Sequence, residues 1–148
     1  MRALVQRVSE ASVTVNGSVT GKIGTGLLIF LGVKNGDTKV QAEELARRVI
    51  SLRVFPDEKD KMNRSLVDVS GELLIVPQFT LYGNTKKGNR PSYSEAAKPE
   101  LAEYLYDYFV DTCRNKAIPV SVGLFQARME VRLVNQGPVT LMCDSDPP

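Results

Sequence analysis

Three short segments carry residues that could do chemistry, and none of them holds a histidine. The first is Gln78-Phe79-Thr80, which follows an apolar run and Pro77, a residue with no N–H to give to a ladder. Backbone amides released at such a place can point at a ligand and stabilise an oxyanion, and Thr80 adds a hydroxyl. The alternative is a plain strand terminus with Phe79 in the core. The second segment is Asn135 to Thr140 (NQGPVT), where Gly137-Pro138 after a strand is ordinarily a turn. A cis bond there would mean more, since only about 5–6% of X-Pro bonds in folded proteins are cis, but the sequence does not show the isomer. The third is Lys86-Lys87-Gly88-Asn89-Arg90-Pro91-Ser92, a basic loop that is either a solvated face or a contact for phosphates.

What is missing narrows the chemistry further. The 148 residues include no histidine, so a Ser-His-Asp or Cys-His machine, a His-bearing zinc site and a histidine general base are all excluded. Cys113 and Cys143 are far apart with no CxxC, which signals neither a zinc ribbon nor a disulfide framework and suits the cytosol. Cys113 reads as a passive helix residue. Gly24-Thr25-Gly26 is not a dinucleotide fingerprint and no Walker motif is present, so no cofactor and no metal is expected. With 19 Lys plus Arg against 17 Asp plus Glu the net charge is +2, too small for strong nonspecific nucleic-acid binding, and any RNA contact must be local. The opening MRALVQRVSEASVTV lacks a signal-peptide core, and the longest apolar run, Leu27 to Leu31 with Gly32 and Val33, is far short of a membrane span. A cytoplasmic protein with no membrane contact is expected.

The elements that must position these segments follow from periodicity. Leu4, Gln6, Val8 and then Ser12, Thr14 against Val13, Val15 alternate as in half-buried strands, and Asn16-Gly17 is a hairpin turn signal leading to a strand over about Ser18 to Ile23. Leu27 to Leu31 suits a strand buried on both faces. Thr38 and Gln41 form a capping box before a helix with Val40, Leu45, Val49 and Leu52 plus Ala42 and Ala46 on its apolar stripe. Glu43 to Arg47 and Glu44 to Arg48 are i,i+4 pairs on its wet face. Arg53-Val54-Phe55 suggests a short strand, Asp57 to Arg64 a charged loop, Gly71 to Leu81 a buried strand and Asn84 to Tyr93 a loop. Pro99 opens a second helix through about Thr112, with Leu101, Tyr104, Leu105, Tyr108 and Thr112 on one side. Val120 to Val122 and Met129 to Val134 read as strands, Asn135 to Pro138 breaks the second, and Val139 to Met142 resumes it.

No repeat or linker divides the chain, and at this length roughly 68–70% of the unfolded surface can be buried, so one domain over residues 1–148 is expected. The fold class is α+β: a curved, mostly antiparallel sheet or small barrel of about seven strands with two main helices packed on it.

MRALVQRVSEASVTV, IGTGLLIFLGV, LRVFPDE, QFTL, KGNRPSY and NQGPVT, in that order and spacing, resemble the D-aminoacyl-tRNA deacylases, also called D-tyrosyl-tRNA deacylases, over essentially the whole chain. The resemblance implies a homodimer whose active sites lie at the subunit interface. In it a Ser-Gln-Phe-Thr motif from one subunit meets a Gly-cisPro motif from the other; here these are Gln78, Phe79, Thr80 and, across the dimer, Gly137 and Pro138. Two positions depart from the pattern. Pro77 stands where the motif has serine, and in a Gly-x-Phe-Gly-Ala-x-Met stretch matched by Gly123, Phe125, Ala127 and Met129, Gln126 replaces the inner glycine.

The implied substrate is a tRNA whose terminal ribose carries a D-amino acid or glycine as an ester. Such an ester is already reactive and the neighbouring ribose 2′-OH can assist water, so hydrolysis needs no strong protein base. The implied work of Phe79 and Thr80 is oxyanion stabilisation by backbone amides. A covalent Thr80 nucleophile is the competing mechanism, but it lacks an evident base. Gly137 and Pro138 would form a rigid main-chain wall that excludes an L side chain, while Lys86, Lys87 and Arg90 are the expected tRNA phosphate contacts. Two alternatives stay open: a noncatalytic RNA-binding or tRNA-delivery module, and a dimeric scaffold in which Gly137-Pro138 is only a turn.

Overall fold

A computed structural model describes residues 1–145. Its long first strand, β1 (Arg2–Val15), turns at Asn16-Gly17 into β2 (Ser18–Ile23) and is followed by β3 (Gly26–Gly32). Helix α1 (Lys39–Ile50) comes next, then a small hairpin of β4 (Phe55–Pro56) and β5 (Met62–Arg64). β6 (Glu72–Pro77) leads into a 3₁₀ turn over Phe79–Tyr82, then helix α2 (Pro99–Arg114), β7 (Val120–Val122) and the long β8 (Glu130–Asp144). The main sheet runs β2-β1-β3-β6-β7, with β8 on the other side of β1. It is mixed: β1 pairs antiparallel with β2, β3 and β8, whereas β3–β6 and β6–β7 are parallel.

The sheet is strongly curved, and one close approach shows how far. A Cβ at Gly21 on β2 would lie 2.7 Å from the Val122 carbonyl oxygen on β7, and the Ser121 hydroxyl donates to Lys22 O at 3.3 Å. Only glycine lets the two ends of the sheet approach so nearly to closure.

Two apolar clusters fill its faces. Ala3, Val5, Leu27, Ile29, Leu31, Leu73 and Ile75 point toward the helices, meeting Leu45 and Val49 of α1 and Leu105, Tyr106 and Phe109 of α2. Val8, Ala11, Val13, Leu28, Leu74 and Val76 fill the concave side. β1 serves both clusters because its pairing with β8 slips between Gln6 and Val8 and again between Val8 and Glu10. Such bulges change which face receives the next side chain. That is why the inward residues run Ala3, Val5, Val8, Ala11, Val13 and not in the single phase Leu4, Gln6, Val8 suggests.

Most predicted elements are present, with physically instructive differences. The capping box of α1 forms, Thr38 Oγ1 accepting from Val40 N at 3.2 Å and Gln41 Oε1 from Thr38 N at 2.7 Å. Val40 is exposed, however, and the buried stripe is Ala42, Leu45, Ala46 and Val49. Of the two helix pairs, Glu44–Arg48 forms at 2.9 Å, while Glu43 is engaged by the Tyr108 hydroxyl. α2 is turned from expectation: Ala102, Leu105, Tyr106, Phe109, Val110 and Cys113 are buried, and Tyr104 faces out. Met62–Arg64 is a strand within the expected charged loop. The strand expected over Gly71 to Leu81 ends at Pro77, and β8 continues unbroken through Gly137-Pro138.

Candidate active site

Pro77 ends β6 where the sheet can do without its N–H. β7 pairs only with Leu73 to Ile75, and the last bond on that side runs from Gly123 N to Ile75 O at 3.1 Å. Beyond it the chain leaves the ladder, held by Gln78 N donating to Leu31 O at 2.8 Å. It then winds into the 3₁₀ turn, whose first internal bond joins Leu81 N to Gln78 O at 3.3 Å. The amides of Phe79 and Thr80 precede that bond and have no acceptor within the turn. Neither amide has a hydrogen-bond acceptor among the described residues, so both are free to donate to a ligand. Phe79 is not in the core: the residue is 56% exposed.

These residues stand at the lip of a cleft of about 580 Å³. Val76, Pro77, Gln78 and Phe79 form one wall; Tyr93 and the start of α2 form another; Phe125, Gln126 and Met129 close the third. The lining is largely apolar. Phe125 is backed by Tyr106, whose ring centroid is 6.4 Å away and whose hydroxyl donates to Ile75 O at 2.6 Å. Burial pushes that phenol far up, so it stays neutral and serves as a structural prop. Burial likewise pushes the Cys113 thiol up to about 12, which leaves it an inert core residue.

Thr80 is exposed beside the cleft, and its hydroxyl is hydrogen-bonded to the Gln78 carboxamide. A carboxamide is no general base, so this bond positions the hydroxyl without activating it. Gln126, the departure from the resembling pattern, sits at φ 61° as the third residue of a turn closed by Ala127 N to Leu124 O at 3.3 Å. That left-handed position is one glycine occupies freely and a side chain occupies at a cost of about 1–2 kcal/mol. The glycine of the common pattern is thereby explained.

Gly137 and Pro138 do not border this cleft. They lie exposed in β8, joined by a cis peptide bond, on the stretch facing the first half of β1. A clamp holds them. The Arg7 guanidinium donates to Val54 O at 2.6 Å, to Gln136 O at 3.3 Å and to Gly137 O at 3.5 Å. The Asn135 carboxamide donates to Arg7 O and to Val139 O, each at 3.0 Å, spanning the Gly-Pro step. Within one chain, then, Gln78 and Phe79 line the cleft with Thr80 next to them in the 3₁₀ turn, and Gly137 and Pro138 form a separate knuckle on β8.

Lys86, Lys87 and Arg90 are exposed and make no ion pair among the described residues. They lie on a hairpin closed by Asn84 N to Ser92 O at 2.7 Å and Ser92 N to Asn84 O at 2.9 Å, next in sequence to cleft residue Tyr93. Sequence reasoning does not single out Tyr93, Phe125 or Arg7 as site residues, and it includes Asn135 only as the start of the NQGPVT segment. Tyr93 and Phe125 stand inside motifs, and nothing local marks what they face. Among the described residues no cluster of three metal-ligating side chains occurs, and no helix is long and apolar enough to cross a membrane.

Comparison with known proteins finds relatives over nearly the whole chain. The chain is 54% identical over 145 residues to the D-aminoacyl-tRNA deacylase of Syntrophobacter fumaroxidans, covering 98% of this chain and 97% of that protein. It is 55% identical over 145 residues to the D-aminoacyl-tRNA deacylase of Thermosipho africanus, with the same two coverages. Among solved structures, one described as c-Myc DNA Unwinding Element Binding Protein superposes with a TM-score of 0.93 at 40% identity, covering 98% of this chain and 99% of that one. Another, described as a probable eukaryotic D-amino acid tRNA deacylase, superposes with a TM-score of 0.76 at 21% identity over 97% of this chain and 98% of that one, a likeness of fold. The family model of D-Tyr-tRNA(Tyr) deacylase matches residues 4–144, and the chain belongs to that family.

Proposed function

We propose that this protein, acting as one domain over residues 1–148, hydrolyses the ester between a D-amino acid or glycine and the 3′ end of tRNA and spares L-aminoacyl-tRNA. Family membership supports the substrate class. The observation that carries the reading is the pair of amides at Phe79 and Thr80, freed from the sheet at the lip of an apolar cleft. The cleft seats the 3′ end so that the ester carbonyl meets these amides. Water attacks the carbonyl carbon with help from the neighbouring ribose 2′-OH, negative charge collects on the carbonyl oxygen, and the ribose oxygen leaves with a proton. One well-aimed oxyanion donor is worth about 2.7–4 kcal/mol, which suits an ester that is already reactive.

Chiral choice needs a second part, since an ordinary apolar pocket distinguishes one methylene by only about 1–3 kcal/mol. The knuckle of Gly137 and Pro138 supplies a main-chain wall, and because it lies away from the cleft of its own chain, we assign it to the cleft of a partner copy in a homodimer. The wall rejects side chains in the L direction, so glycine passes with the D-amino acids. The protein works in the cytoplasm, where its substrate is made, and Lys86, Lys87 and Arg90 meet tRNA phosphates.

A noncatalytic nucleic-acid-binding module is the second reading, favoured by the description of the 40%-identical structure as a DNA-element-binding protein. The two separate on turnover. A catalytic amount of protein is mixed with excess D-tyrosyl-tRNA and release of tyrosine is followed. Many turnovers per protein are expected; binding without release would replace the hydrolase by the binding module.

A further inference from the structure

We infer that Tyr93, set edge-on against Phe79, is a stacking platform for the base of the nucleotide that precedes the terminal adenosine in the single-stranded tail of tRNA. The inference rests on the deacylase reading and extends its reach along the substrate by one nucleotide. The two rings are 5.2 Å apart at 69°, yet both remain open to solvent, Phe79 at 56% and Tyr93 at 40% exposure. Burying only part of two aromatic rings leaves apolar faces in water, and such faces beside a cleft are places where a ligand finishes the packing.

The placement is built in. A Cβ at Gly83 would lie 2.9 Å from Tyr93 Cε1 and 3.0 Å from Thr80 O, so glycine there leaves the ring room to fold back over the 3₁₀ turn and a side chain would push it away. The backbone of Tyr93 is tied by Ala96 N donating to its carbonyl at 3.1 Å. The Asn84–Ser92 hairpin, which ends one residue before Tyr93, carries the exposed Lys86, Lys87 and Arg90, with Lys86 N fixed to Asn84 Oδ1 at 2.9 Å. Aromatic faces next to unpaired cations are the arrangement that single-stranded nucleic acid asks for, bases stacking while phosphates run along the charge. With the terminal ester held at the amides of Phe79 and Thr80, the next nucleotide out lies over Tyr93 and its phosphate over the hairpin.

The test compares D-tyrosyl esters of adenosine alone and of the trinucleotide CCA on wild type, Tyr93→Ala, Tyr93→Leu and Tyr93→Phe, with thermal melting of each variant as the folding check. In Tyr93→Ala and Tyr93→Leu, kcat/KM for the trinucleotide ester is expected to fall at least about fivefold further than for the adenosine ester, the low end of one base stack. Tyr93→Phe should keep the wild-type ratio. Equal falls for both esters, or none, would overturn the inference. A binding arm with uncharged CCA and adenosine reads the same difference without turnover. If the wild type hydrolyses neither ester, the deacylase reading fails on its own, and the binding arm still decides the platform.

Discussion

The guanidinium of Arg7 donates at 3.3 Å to the carbonyl oxygen of Gln136, and from the same group to Gly137 O at 3.5 Å and Val54 O at 2.6 Å. One β1 side chain therefore fixes the orientation of the Gly-Pro knuckle against the body of the protein. Hydrogen bonds from a charged donor are worth about 1.5–3 kcal/mol each, less where water competes. Arg7→Ala should loosen the knuckle and lower the ratio of D to L hydrolysis by about tenfold, a loss of about 1.4 kcal/mol of discrimination. Rates on D- and L-tyrosyl-tRNA measure it, and an unchanged ratio would remove Arg7 from the chiral filter.

Gly137 has room in its own chain. The nearest atom to an added Cβ is Asn135 Oδ1 at 3.7 Å, an ordinary van der Waals distance. Gly137→Ala should leave the melting temperature within a few degrees of wild type, since no internal clash arises. It should nonetheless cut D-tyrosyl-tRNA hydrolysis at least about tenfold, about 1.4 kcal/mol, because in the proposed homodimer the methyl group would meet the partner's cleft. Full activity in the variant would mean that nothing outside the chain approaches this residue closely.

Thr80 offers a sharp choice between mechanisms. If its amide does the work, Thr80→Ala keeps the donor and single-turnover hydrolysis should stay within about tenfold of wild type. A covalent nucleophile would show losses of several orders of magnitude. Near-complete loss in a correctly folded Thr80→Ala protein would therefore establish the hydroxyl and displace the RNA-assisted route.

The basic hairpin makes an electrostatic prediction. Neutralising Lys86, Lys87 and Arg90 should weaken tRNA binding and reduce the slope of log affinity against log salt. The reduction is about 0.9 for each duplex phosphate that no longer meets a cation, or about 0.7 on a single strand. Titrations at several salt concentrations read this directly. A slope equal to that of wild type would return the hairpin to ordinary surface.

Much of this arrangement is legible in the sequence where the physics is local. The Thr38–Gln41 capping box, the Asn16-Gly17 hairpin and the buried run of β3 each follow from a few adjacent residues. The differences arise where distant residues decide. Tyr104 and Tyr108 fit an apolar stripe of α2, yet Tyr104 is exposed and Tyr108 only half-buried, with Lys39 Nζ 5.6 and 5.0 Å from their rings, a cation–aromatic arrangement no spacing rule reveals. Gly137-Pro138 reads as a break, but β8 passes through it because β1 accommodates the irregularity in its own pairing. Phe79 reads as core because it is apolar at the end of an apolar strand; the 3₁₀ turn carries it outward. Gln126 reads as an intrusion on a glycine pattern, and the backbone shows why glycine suits the place. The QFT and NQGPVT segments are visible as unusual, whereas their separation within one chain is a property of the folded sheet.

The central claim is a hydrolase that distinguishes mirror images by a main-chain wall. It is tested most directly by incubating the purified protein with matched D-tyrosyl-tRNA and L-tyrosyl-tRNA and following release of tyrosine from each. The account predicts rapid loss of the D ester with the L ester spared. Equal hydrolysis of the two would contradict the wall at Gly137 and Pro138, and hydrolysis of neither would contradict the enzyme.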